Sequence, residues 1–135
     1  MSAGESTSEL HTRIDTIEEA YEFMLAYASQ GLASDQDNDT GRQAREYLKR
    51  CDAALSAFAD FLAACVERAG VEPKAAYAGF IAVIDRDARD AQAAIQLVLA
   101  QTSISSQLVD NLNASIHLRA LLTDLFLIDE VLKNR

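Results

Sequence analysis

The sequence predicts an all-α fold, an antiparallel four-helix bundle with a short first helix and three long ones. Three observations carry this reading. Apolar residues recur at i, i+3, i+4 and i+7 over long stretches, the spacing of a helix with one buried face. Ala, Leu, Ile and Gln are plentiful, whereas one proline and five glycines leave little material for the turns of a β protein. Capping boxes, Thr16 with Glu19 and Thr40 with Gln43, stand where two of the stripes begin.

Residues 1–14 mix Ser, Thr, Gly and Glu without a period and read as a flexible acidic tail, leaving 15–135 as a single helical-bundle domain. Ile17, Tyr21, Met24, Leu25 and Ala28 make the first helix, about 16–30, with Gly31 as its stop. Residues 34–39 carry no stripe and form a solvated loop. From Thr40, the positions Ala44, Leu48, Cys51, Leu55, Phe58, Leu62, Cys65 and Ala69 continue one face as a single second helix, ended by Gly70. Pro73 suits the first turn of the third, whose stripe is Tyr77, Phe80, Ile84, Ala88, Ala91, Ile95 and Val98.

A turn is placed between Leu99 and Leu108, where Thr102 and Ser103 are good caps; a bend near Asn111 and Asn113 is the alternative. The fourth helix then runs through Ile104, Leu108, Leu112, Leu122, Leu125 and Leu132. The three long helices match at about 42–45 Å each, which suits antiparallel packing. After His117 the fourth helix is apolar around most of its circumference. This predicts a homodimer through Leu118, Leu121, Leu125, Phe126 and Ile128. Cover by the first helix and the tail is the other solution.

Charge is unevenly spread. Residues 1–40 hold nine carboxylates against one base, Arg13, while the other 95 residues are nearly balanced. A net charge of −9 argues against nucleic acid and against anionic membranes as partners, and favours a basic protein. No apolar run reaches the ~20 residues of a membrane span. Cys51 and Cys65 lie in one apolar stripe, about 21 Å apart along a continuous helix, too far to pair within it. Buried thiols in a reducing, cytoplasmic setting are expected.

The sharpest motif is Asp35-Gln-Asp37-Asn-Asp39, followed by Thr40, Gly41 and Glu46. Acids at positions 1, 3 and 5 with glutamate at 12 resemble the EF-hand calcium loop, and the resemblance implies Asp35, Asp37, Asp39 and Glu46 as ligands. Thr40 stands where that family needs glycine, and Arg42 where it places an apolar residue. A solvated acidic loop ending in a helix cap accounts for the same residues without a metal. A di-metal carboxylate bundle lacks its Glu-x-x-His pairs. No cofactor is expected and no catalytic residue is assigned.

The function expected is a small acidic interaction or regulatory module. A small-molecule-binding sensor is the alternative, with a pocket drawn from Phe58, Tyr77, Phe80, Asp85 and His117. An enzyme comes third. It would need two of Asp85, His117, Asp124 and Asp129 to converge in one cleft.

Overall fold

The computed structural model describes residues 3–133. It is all-α, and it corrects the expected architecture: among the described residues there are six helices, not a four-helix bundle. They are α1 (Ala3–Ala28), α2 (Asp39–Leu55), α3 (Phe58–Ala69), α4 (Lys74–Leu99), α5 (Ser106–Ala114) and α6 (His117–Lys133). The first helix is not short; at 26 residues it equals α4 in length. α1 packs on α2, α3, α5 and α6, and α4 packs on the same elements from the other side.

The expected tail is overturned from residue 3 onward, while residues 1 and 2 lie outside the described residues. Leu10, Ile14 and Ile17 follow the helical spacing and are buried in the shared core, so water exclusion extends the helix through the Ser/Thr-rich stretch. Glu5 in the first turn complements the helix dipole. Cross-links hold this segment: Arg13 lies 4.1 Å from the Phe61 ring centre, and Cys65 Sγ donates to the Ser6 carbonyl.

The second expected helix breaks at Ser56–Ala57. Ala57 sits at φ 51°, and the Asp52 carbonyl accepts Gln92 Nε2 at 3.1 Å rather than only helix donors. The break keeps both Leu55 and Phe58 in the core. The fourth expected helix breaks at Ser115–Ile116. Ser115 Oγ donates to the Leu112 carbonyl, Asn113 Nδ2 donates to the Met24 carbonyl, and Ile116 takes φ 61°. This re-phases the chain so that Leu118, Leu121, Leu122, Leu125 and Ile128 all face inward. α4 matches its sequence reading closely: Ile84, Ala88, Ala91, Ile95 and Val98 are its buried face.

The end of α1 and the loop after it are fastened to the α4–α5 connection and the start of α5 by polar groups. Tyr27 Oη donates to the Ile104 carbonyl, Ser106 Oγ donates to the Tyr27 carbonyl, and Ser106 N–H donates to the Leu32 carbonyl. Asn38 caps α2 by accepting from Gly41 N–H, a role the sequence reading assigned to Thr40.

Candidate functional site

The acidic loop forms a clasp. Asp35 is buried; its carboxylate pairs with Arg45 Nε at 2.8 Å and accepts the Ile104 N–H at 2.7 Å. Arg45 also donates to the Leu99 and Gln101 carbonyls. Burial pushes Asp35 up, but the Arg45 and Ile104 hydrogen bonds outweigh it and hold the carboxyl below its ordinary range. Asp39 pairs with Arg42, and Glu46 with Arg50. Asp37, at φ 64°, is exposed. The expected ligand set Asp35, Asp37, Asp39 and Glu46 is therefore dispersed. Among the described residues no three His, Cys, Asp or Glu side chains gather to hold a metal. Gly41 has its own reason: a Cβ there would collide with the Asp35 backbone.

The expected dimer face is also taken apart. Leu118, Leu121, Leu125 and Ile128 are buried in this chain's own core, leaving Phe126 exposed. The expected pocket is divided. Tyr77 and Phe80 come together with Pro73, Leu127, Ile128 and Val131 in a groove of about 330 Å³ between α4 and α6. Phe58 is in the core, Asp85 pairs with Arg89, and His117 is exposed elsewhere.

No two of Asp85, His117, Asp124 and Asp129 pair with one another among the described residues; Asp129 instead meets His11 Nε2 at 2.8 Å. That pair, absent from the sequence reading because His11 fell in the supposed tail, lines a cavity of about 130 Å³ with Cys65. Cysteine, histidine and aspartate are the parts of a nucleophilic site. Here, however, Cys65 donates to the Ser6 carbonyl, and burial raises its pKa despite nearby Arg68. Cys51 is pushed higher, to about 12, first by burial and then by Asp52. In both thiols the shift disfavours the reactive thiolate at neutral pH.

The most distinctive surface runs along α1 where it meets α5 and α6. Two grooves of about 390 and 430 Å³ share Tyr21, Leu25 and Arg119. Three large apolar side chains stand exposed on it: Leu25 at 48%, Ile116 at 60% and Phe126 at 47%. Ile116 is out in solvent because the α5–α6 turn puts it there. Its φ of 61° is costly for a β-branched residue. Asp15, Glu18 and Glu22 lie on one side of α1 leading to Leu25, and Asp110 lines the α5 end. None of these acids has an ion pair among the described residues. In the floor, Asn113 Oδ1 is occluded without a donor.

No helix among the described residues is long and apolar enough to cross a membrane. Comparison with family models, curated proteins and solved structures finds no match to this chain.

Proposed function

We propose that this protein is a small helical interaction module whose α1–α5–α6 face takes a basic amphipathic segment of a partner protein. The single observation that carries the reading is the coincidence of exposed Leu25, Ile116 and Phe126 with unpaired Glu18, Glu22 and Asp110 on one face. Apolar anchors supply affinity in such a groove, while charge sets encounter rate and partner choice. Grooves between helices suit a helix laid along them.

A second copy of this chain fits poorly. A two-fold contact centred on the Glu18–Glu22 row would set that row against itself, with Arg119 the one base among the described residues lining the two grooves. Phosphate backbones and anionic lipids meet the same repulsion. Two buried thiols suit a reducing, cytoplasmic setting.

The test is calorimetric titration of the full chain with a synthetic Leu/Lys amphipathic helix, against a sequence-scrambled control. Tight binding is expected for the ordered peptide. It should weaken at least ~10-fold in Glu18→Lys/Glu22→Lys and in Leu25→Ser/Phe126→Ser, and weaken with added salt. Equal binding by all variants overturns the reading.

A second reading, a sensor of small apolar molecules, is favoured by the α4–α6 groove, whose volume is in the range of ligand sites, about 300–1,000 Å³. Binding of an apolar dye that is lost in Phe80→Ser but kept in Phe126→Ser would select it.

A further inference from the structure

The α4–α6 seam holds two acids where a helix interface ordinarily buries apolar side chains or opposite charges. The helices are joined first by the groove of Tyr77, Phe80, Leu127 and Val131. Further along, Asp87 on α4 neighbours Asp124 on α6 and raises its pKa. Asp124 Oδ2 is shut off from solvent and has no donor among the described residues. No base answers it: Arg89 on α4 is held by Asp85, and Arg86 is exposed.

The other charged groups brought to α6 sit elsewhere. α1 places His11 on Asp129, and Glu18 and Glu22 beside Arg119 and Phe126. α5 places Asp110 beside Arg119. Asp87 is the one charged group that acts on Asp124.

Ionised carboxylates accept hydrogen bonds and donate none. Two of them as neighbours, one with an occluded oxygen, lack a donor that a single shared proton supplies. We propose that Asp87 and Asp124 form one proton-binding site that latches α6 onto α4, and that losing the proton loosens this seam. Asp124 is one helical turn from Leu127 and Ile128, so ionisation acts on the wall of the apolar groove. The apparent midpoint belongs to the pair. Burial, then the contact with Asp87, push Asp124 up to about 7, which puts the change of state near neutral pH.

The experiment is a carbon-detected titration of aspartate carboxyls in the labelled full-length protein. It is paired with amide hydrogen exchange of α6, corrected for the intrinsic rise of exchange with pH. One carboxyl is expected to titrate near neutrality, and α6 exchange to quicken ~10-fold or more over the same interval. Asp124→Asn should abolish both changes, because its amide donates to Asp87 at every pH. Aspartates that all titrate below about pH 5 overturn the proposal. So does α6 exchange that ignores a carboxyl titrating near neutrality. Both readouts are made on the unmodified chain, so they decide the matter even where the Asn variant fails to fold.

Discussion

Asp35 ties together segments far apart in sequence: the loop after α1, Arg45 on α2 and the Ile104 amide. Removing it leaves the Arg45 charge without its counter-ion and the Arg45 Nε–H and Ile104 N–H without an acceptor, so Asp35→Ala is expected to cost ~3 kcal/mol in urea unfolding. Gly41→Ala should cost ~2 kcal/mol, because the added carbon meets the Asp35 backbone and only a shift of α2 makes room. The two perturbed acids have opposite pH signatures. Asp35 has a lowered folded pKa, so its contribution is present above the ordinary aspartate value and is lost as pH falls through the lowered one. Asp124 is raised from 3.8 to about 7, so its contribution is full below the unfolded value and drains away as pH rises through about 7. A fully insulated group with that shift would contribute ~4 kcal/mol; solvent reaching this pair reduces it to ~2 kcal/mol. Asp124→Asn is therefore expected to be more stable than the parent at alkaline pH and no better in acid, by denaturant midpoints across pH. The acids of the clasp were legible in the sequence as a motif. Their targets were not, because Arg45 and Ile104 are ten and 69 residues from Asp35.

The helices were legible where an apolar stripe runs unbroken. α4 shows this best, since Ile84, Ala88, Ala91, Ile95 and Val98 are both its sequence stripe and its buried face. The two breaks were not legible, because neither Ser56–Ala57 nor Ser115–Ile116 contains glycine or proline. Stripes on both sides continue as if no break existed. Tertiary fit decides these positions: left-handed backbone at Ala57 and Ile116 is accepted so that both flanking stripes reach one core. Each residue is strained by ~1 kcal/mol or more. Ala57→Gly and Ile116→Gly are thus expected to raise the thermal midpoint, by ~0.5 kcal/mol of stability each after the entropy of glycine is counted. For Ile116 this reverses the usual loss on trimming a large apolar side chain, since this one is out in water. The first half of α1 was missed for another reason. Leu10 and Ile14 are its only large apolar anchors before Ile17, set among polar residues that favour no structure by themselves.

Over the whole molecule, Asp15, Glu18 and Glu22 carry part of the excess acid of residues 1–40 onto an outward ridge of α1. The charge half of the proposed face was visible as composition. The apolar half was not, because the exposure of Ile116 and Phe126 depends on where α5 ends and how α6 is turned. The same turn removes the expected dimer surface by sending Leu118, Leu121, Leu125 and Ile128 inward. Light scattering is accordingly expected to report a monomer at micromolar concentration, unchanged in Phe126→Ser. A stable dimer broken by that variant would restore self-association and displace the basic-partner reading.

Because α1 touches α2, α3, α5 and α6, its burial is completed only by segments far along the chain. Tyr27 finds Ile104 77 positions downstream, and His11 finds Asp129 118 positions downstream. α2 follows at once and covers part of the α1 stripe, but the parts that α5 and α6 cover stay open to water until those distant segments arrive.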